Sequence, residues 1–220
     1  EYSADPHMLC IGVNSLVTGS HQEVINECVK QEGIAVLCHP NWQKKEYWTW
    51  SYMLSLQGYT GIEIYNGVIF RLNGTGLATD SWDYLLSQGK LVWGFGNDDF
   101  HRWHDLSKAW NMIYTLSRNH EDIKVAFRSG SFYVSTGLIM RDFYFCDGLI
   151  RISASAKDTY VMNNTYVFIG KDGEKLDEQY GEYGLYTVSG NEMYIRVQVI
   201  SEHGAMLWTQ PIINSEWYKV

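Results

Sequence analysis

The chain has 220 residues, of which 45% are hydrophobic and only three are proline, so its composition excludes a disordered or low-complexity protein. Its formal net charge of −8 excludes an extended nucleic-acid-binding surface, because such a surface needs a clustered excess of Lys and Arg. We also expect no membrane span, since no apolar run is long enough to cross a bilayer as a helix.

Strand-like and helix-like segments alternate over residues 1–137. We predict strands at HMLCIGV, IAVLCHP, GIEIYNG and LVWGFG. We predict helices at SHQEVINECVKQEG, EYWTWSYMLSLQG and TDSWDYLLSQGK, the first capped by Ser20 and stopped by Gly33. A further helix, HEDIKVAFRSG, precedes SFYVSTG. Such alternation predicts parallel strands with crossover helices, in a barrel or an open sheet, with functional side chains at the carboxyl ends of the strands.

The character of the sequence changes after residue 137. Short segments rich in β-branched and aromatic residues follow: DFYFCD, LIRISASA, TYVFIG, GLYTVSG, MYIRVQVIS and AMLWTQPII. Turn signals such as GKDGE and SEHG separate them. The pattern predicts an all-β sandwich domain over residues 138–220, with a core separate from that of residues 1–137.

Polar side chains mark the ends of three predicted strands. His39 comes after IAVLC, Glu63 and Asn66 lie in GIEIYNG, and Asp99 and His101 come after LVWGFG. Because parallel strand ends meet at one edge, we expect His39, Asp99 and His101 to lie close together, whereas Glu63 would point either into the barrel wall or toward the site. On an extended segment, Asp99 and His101 would point to the same side and could hold one ion. A lone histidine after a strand is often purely structural, and that alternative stays open for His39.

This mixture of imidazole and carboxylate favours metal chemistry. A nucleophile elbow would show G-x-S-x-G, and the sequence contains none. Imidazole with carboxylate suits Zn, Mn or Fe, and such an ion lowers the pKa of bound water to about 7. Without a metal, the adjacent carboxylates of Asp98 and Asp99 would repel each other and raise the pKa of one of them. The sequence therefore favours a metal-dependent hydrolase.

Four segments carry a resemblance to a known family. GIAVLCHPNW, GIEIYNG, GFGNDDFHRWHD and SGSFYVSTG resemble, in order and spacing, the later motifs of the PHP (polymerase and histidinol phosphatase) superfamily of metal-dependent phosphoesterases. The opening EYSADPHMLCIGVN resembles the family segment in which a Glu ends one strand and a His begins the next. Together these matches cover roughly residues 1–140. The residues after Leu138 resemble the small C-terminal domain of members named after carbaryl hydrolase.

The resemblance implies a fold and a ligand set. The fold would be α/β, a distorted (β/α)7 barrel followed by a small all-β sandwich domain. The barrel would hold divalent metal ions (Mn, Zn or Fe), with these ligands: Glu1, His7, His39, Asp99 and His101. Asp99 and His101 would also be the catalytic residues. The family's N-terminal His-x-His pair is absent from this sequence, so we expect that a missing N-terminal segment completes the barrel.

Four further side chains are candidates for substrate contact. Arg102, beside the Asp-x-His pair, would bind a phosphate. Trp42 would stack on a base or sugar, although aromatic residues at this spacing also build cores. Asn66 would hold substrate, or it simply forms an Asn-Gly turn. His104 would contact substrate, or it would orient a neighbouring imidazole together with Asp105, and a solvated loop explains both residues equally well.

These observations predict a phosphoesterase that acts on a small phosphorylated or nucleotide substrate through metal-activated hydroxide. Two alternatives stay open. The same chemistry would hydrolyse carboxylic or carbamate esters. The chain could also be a non-catalytic carbohydrate- or protein-binding module in which the ligand set is a remnant.

Overall fold

The structure is a computed structural model that describes residues 1–45 and 47–215. Over these residues it has fourteen β-strands in three sheets and four short α-helices. The predicted (β/α)7 barrel is therefore wrong, because the described chain is mostly β-sheet and closes no barrel. No helix in the described ranges is both long and apolar enough to cross a membrane.

Sheet I is open and has four strands in the order β1-β2-β3-β4. Its strands are β1 (Met8–Ile11), β2 (Ile34–Leu37), β3 (Gly61–Asn66) and β4 (Trp93–Asn97). As the alternating pattern predicted, β2, β3 and β4 are parallel. The helices of this region are α1 (His21–Lys30), α2 (Trp50–Ser55) and α3 (Thr79–Ser87), and Ser20 caps α1 as expected.

Two features keep sheet I from closing into a barrel. β1 runs antiparallel to β2, whereas a (β/α) barrel needs parallel strands. After β4 the chain continues into β5 (Trp110–Ile113), which pairs with β6 (Phe132–Ser135) in a different sheet. The intervening helix is α4 (His120–Arg128). The predicted alternation of strands and helices is present, but its last two strands, β5 and β6, belong to a different sheet.

Side-chain amides cover the outer edge of β4. Asn111 accepts a hydrogen bond from the Gly96 N–H at 3.0 Å and donates to the Gly96 carbonyl at 3.0 Å. Gln210 does the same for Gly94, at 2.9 and 2.8 Å. The backbone groups of Gly94 and Gly96 therefore form hydrogen bonds with side-chain amides, in the place where a neighbouring strand would supply backbone partners.

Sheet II has the order β10-β9-β12-β13-β6-β5, with β14 paired to β12, and sheet III has the order β11-β8-β7. All strand pairs in both sheets are antiparallel. The remaining strands are β7 (Ile139–Cys146), β8 (Leu149–Ser155), β9 (Asn164–Ile169), β10 (Lys175–Gly181), β11 (Gly184–Thr187), β12 (Tyr194–Ser201), β13 (Met206–Thr209) and β14 (Ile212–Ile213). The prediction of short strands after Leu138 is confirmed.

One hydrophobic cluster joins sheets II and III. Alternate residues of β8, Ile150 and Ile152, are fully buried with Tyr166 and Phe168 of β9. Sheet II also spans the predicted boundary at residue 137, because β6 pairs with β13. Trp208 of β13 packs in a core cluster whose other members come mostly from residues 1–137. The two-domain division stays a prediction, and the sheet that crosses it is shared by both parts.

A buried polar cluster ties α3 to β12. The Asp83 carboxylate accepts hydrogen bonds from Tyr194 Oη at 2.9 Å and from Arg196 Nε and Nη2 at 2.7 and 2.5 Å. Arg196 also lies over the Trp82 ring, 5.3 Å from its centroid. The Asp83 and Arg196 side chains are only 7% and 3% exposed, so this ion pair is shielded from water.

Candidate metal-binding site

His7 and His39 lie side by side because of how β1 and β2 pair. His7 directly precedes β1 and His39 follows β2, and the antiparallel register sets Met8 opposite Leu37. The Cys38 N–H donates to the His7 carbonyl at 3.1 Å. The two imidazole rings meet edge to face, with centroids 5.2 Å apart.

Two carboxylates flank the His7 ring. Its Nδ1 lies 2.9 Å from Glu1 Oε1, and its Nε2 lies 3.1 Å from Asp5 Oδ1. Lys44 pairs with the other oxygen of Asp5. The hydrogen bond from Lys44 is the main reason that the pKa of Asp5 is lowered, with a smaller contribution from His7. Asp5 is therefore ionised at neutral pH and can only accept the His7 Nε2 proton.

His39 is buried and held on its Nδ1 side. Tyr47 Oη lies 2.9 Å from His39 Nδ1, and the two rings are stacked at 20°. Burial lowers the pKa of His39 to about 4, and the nearby Asp99 charge opposes that shift only in part. His39 is thus a neutral imidazole at neutral pH, which is the form that binds a metal.

Two groups of ligand atoms are compact enough to hold an ion. In each, every pair of ligand atoms lies within 4.8 Å: Glu1, His7 and His39 in one group, and Cys38, His39 and Glu63 in the other. The first group offers two imidazoles and one carboxylate, which is a donor set suited to Zn, Mn or Fe. Its residues fit the metal that the sequence predicts, and Glu1, His7 and His39 are three of the five predicted ligands.

Glu63 is central to the site, whereas the sequence left open whether its side chain points into the wall or toward the site. It is 3% exposed and accepts hydrogen bonds from the His39 N–H at 2.7 Å, from Asn66 Nδ2 at 2.9 Å and from Asn97 Nδ2 at 2.6 Å. Burial raises its pKa to about 7, and these hydrogen bonds limit the rise. The available signal was a carboxylate inside the apolar strand GIEIYN, because such a group must find partners there.

Asn66 links the His39 side of the site to Asp99. Its Nδ2 donates to Glu63 and also to Asp99 Oδ2, at 3.2 Å, while its Oδ1 accepts from the Val68 and Ile69 N–H groups. The side chain is 1% exposed. These contacts give Asn66 a bridging role, and substrate contact by Asn66 stays a prediction.

The Asp-x-His segment is not extended as expected, because Asp99 has φ +53°. His101 Nδ1 lies 2.7 Å from the Asp99 carbonyl oxygen, which can only accept, so Nδ1 carries the proton. His101 Nε2 is then available, and the side chain is 61% exposed. Neither Asp99 nor His101 belongs to the two compact ligand groups found among the described residues, so their roles as ligands and catalysts stay predictions.

The two adjacent aspartates have different partners. The Asp98 carboxylate accepts hydrogen bonds from the backbone N–H groups of Ser107, Lys108 and Ala109, at 2.8, 2.5 and 3.0 Å. Asp99 instead faces Asn66. Asp98 therefore closes the loop that carries the predicted site residues.

Asp105 organises the same loop through its hydrogen bonds to backbone groups. It accepts hydrogen bonds from the His101 and Arg102 N–H groups at 3.1 and 2.8 Å, and it pairs with Arg71. Burial would raise its pKa, but these hydrogen bonds and the Arg71 charge outweigh burial and hold the pKa at about 2. The loop geometry thus depends on a carboxylate that stays ionised.

The remaining predicted substrate contacts lie around this loop and the histidines. Arg102 is exposed, and so is His104, whose Nε2 lies 3.3 Å from Asp105 Oδ1. Trp42 packs with its ring centroid 5.4 Å from that of His39, and Lys44 lies over the Trp42 ring. Substrate binding by these three residues stays a prediction.

No protein-family model matches the chain, and no curated protein is similar to it in sequence. The interpretation of the site therefore depends on its own geometry and chemistry.

Proposed function

We propose that the protein is a metal-dependent hydrolase that cleaves phosphoesters of small molecules. The observation that carries the proposal is the Glu1, His7 and His39 group, whose ligand atoms all lie within 4.8 Å of one another. A divalent ion held there would supply Lewis acidity and lower the pKa of a bound water. The neutral imidazole of His39 suits such an ion.

The loop after β4 supplies groups that reach solvent. His101 is 61% exposed and carries its ring proton on Nδ1, so its Nε2 can accept a proton at a bound substrate. The Asp99 side chain, 18% exposed, lies behind it and contacts Asn66. The exposed Arg102 adds a cation suited to a phosphate. These positions support a phosphoester substrate, as does the resemblance of four motifs to PHP phosphoesterases, and membership of that superfamily is itself part of the proposal.

A second candidate is a non-catalytic binding module, and one observation favours it. Phe100 and Trp103, which flank His101 and Arg102, are 52% and 85% exposed and could contact a partner rather than a reacting substrate. Hydrolysis of carboxylic or carbamate esters uses the same metal chemistry, so it is tested with the same protein.

Metal content and hydrolysis decide among these candidates. We expect the purified protein, incubated with Mn²⁺ or Zn²⁺ and desalted, to retain metal. It should accelerate hydrolysis of p-nitrophenyl phosphate over the uncatalysed rate by a larger factor than hydrolysis of p-nitrophenyl acetate. The His39→Ala variant should lose both metal and activity, whereas His203→Ala, at an exposed histidine in a turn, should keep both.

A larger acceleration of acetate hydrolysis than of phosphate hydrolysis would favour the carboxylic ester alternative. A wild-type protein that retains neither ion and hydrolyses neither compound would refute the proposed function and favour the binding module.

A further inference from the structure

We propose that Tyr47 is a positioning residue of the candidate metal site. Its hydroxyl sets His7 and His39 relative to each other and leaves Nε2 of His39 as the nitrogen for an ion. This inference rests on the proposed metal-dependent function, and it assigns a role to a residue that does not itself bind the metal.

The Tyr47 hydroxyl contacts both histidines. The His7 backbone N–H donates to Tyr47 Oη at 3.0 Å, and the same oxygen lies 2.9 Å from His39 Nδ1. The Tyr47 ring is 5% exposed and stacks on the His39 ring with centroids 5.4 Å apart. One rigid side chain thus fixes the backbone of one predicted ligand and the ring plane of the other.

The hydrogen-bonding capacity of a hydroxyl explains why this contact suits a metal ligand. A tyrosine hydroxyl has one proton to donate and can also accept. With the His7 N–H already bound, the hydroxyl can still donate to a bare Nδ1 or accept from a protonated Nδ1. A neutral imidazole that binds an ion through Nε2 carries its proton on Nδ1, so Tyr47 can serve His39 with and without the ion and need not move.

Asp5 acts on His7 in a parallel way. Its carboxylate, held by Lys44, lies 3.1 Å from His7 Nε2 and can accept a hydrogen bond from it. The opposite nitrogen, Nδ1, faces Glu1. The two imidazoles are therefore held through opposite nitrogens, Nε2 in His7 and Nδ1 in His39. Outer partners of this kind orient metal-binding histidines and raise metal affinity.

Tyr59 provides a matched control. It is also 5% exposed and packs in the same core cluster, and its hydroxyl donates to the Met53 carbonyl at 3.0 Å. Tyr47→Phe and Tyr59→Phe therefore each remove the hydrogen-bonded hydroxyl of one buried tyrosine. The Tyr47 hydroxyl bonds to His7 and His39, whereas the Tyr59 hydroxyl bonds to a backbone carbonyl away from the histidines.

The experiment compares wild type with Tyr47→Phe and Tyr59→Phe. Urea unfolding first establishes that each variant is folded. Calorimetric titration with Zn²⁺ and Mn²⁺ then gives metal affinity, and long-range ¹H–¹⁵N NMR of the metal-free proteins reports the ring nitrogens of His39. We expect Tyr47→Phe to weaken metal binding about 10- to 100-fold and to shift the His39 Nδ1 signal. Tyr59→Phe should do neither.

Three results would overturn the inference: an unchanged His39 Nδ1 signal in Tyr47→Phe, an unchanged metal affinity, or an equal loss of affinity in both variants. The last would mean that core destabilisation alone is responsible. If wild type binds metal and Tyr47→Phe binds it equally well, the proposed function stands and only the inference fails. If wild type binds neither ion, the proposed function fails, and the role of Tyr47 in metal binding fails with it, whatever the NMR spectra show.

Discussion

Burial moves the pKa values of two neighbouring residues in opposite directions. The pKa of Glu63 rises from 4.5 to about 7, so the unfolded chain releases this proton at lower pH than the folded chain. The contribution of Glu63 to stability therefore falls as pH rises through that window. The pKa of His39 drops from 6.5 to about 4. Between these values the unfolded chain binds a proton at His39 and the folded chain does not, so the free energy of unfolding rises with pH over that window. The two effects oppose each other between about pH 4.5 and 6.5.

Replacing either Glu63 or His39 should leave only the pH dependence of the free energy of unfolding that the other residue causes. Relative to wild type, we expect the free energy of unfolding of Glu63→Gln to increase from pH 4.5 to 6.5, by up to about 3 kcal/mol. That of His39→Gln should decrease over the same range by a similar amount. Urea unfolding at several pH values measures both, with His203→Gln as the control at an exposed histidine. If both variants keep the wild-type slope, the opposing pKa shifts are wrong.

The sequence identified the site residues that follow strands, but it left open which residues hold them in place. His39 and Asp99 stand out because a polar residue after an apolar run marks a strand end. Tyr47 and Asp105 carry no such mark, since their importance comes from contacts made across the fold. The sequence also could not predict the backbone conformation of Asp99, because a positive φ at a non-glycine residue is set by the surrounding loop.

At the scale of elements, the edge of β4 depends on amide side chains rather than on a paired strand. Asn111→Asp keeps the shape of the side chain but places a carboxylate oxygen against the Gly96 carbonyl. We expect this change to lower the free energy of unfolding by about 1–3 kcal/mol, because it removes a donor and adds repulsion. Asn26→Asp, on the exposed face of α1, should change it by less than about 0.5 kcal/mol.

Urea unfolding at neutral pH measures this pair of variants. An equally small effect at both positions would mean that the amide contacts contribute little to joining sheet I and sheet II. The comparison is sensitive because Asn and Asp have the same size, so differences in packing do not obscure the lost hydrogen bond.

The strand pairings around β4 show how much of the fold the sequence could predict. Apolar runs and helical periods located β2, β3 and β4 and their parallel pairing correctly. They could not show that β1 is antiparallel or that β5 joins β6, because a run of apolar residues has no direction and does not name its partner. The barrel came from the family resemblance, and these two pairings overturn it.

At the scale of the whole molecule, the Asp83–Arg196 pair connects α3 with sheet II across the predicted domain boundary. A buried ion pair contributes little net stability over an apolar pair, but removing one partner leaves an unpaired buried charge. We therefore expect Arg196→Leu to lower the free energy of unfolding by about 3–5 kcal/mol. The double variant Asp83→Leu with Arg196→Leu should be destabilised less than Arg196→Leu alone.

A double-mutant cycle measured by urea unfolding tests this expectation, with far-UV circular dichroism and tryptophan fluorescence followed together. Trp82 lies under Arg196, and Trp208 belongs to a strand beyond the predicted boundary, yet both pack in one core cluster. Because the ion pair and this cluster are shared, Arg196→Leu should shift both signals to lower urea by the same amount. If only one signal shifts, the two parts unfold independently, and the shared sheet does not couple them. If the double variant is as unstable as Arg196→Leu alone, the unpaired charge of Asp83 is not the cause of the loss.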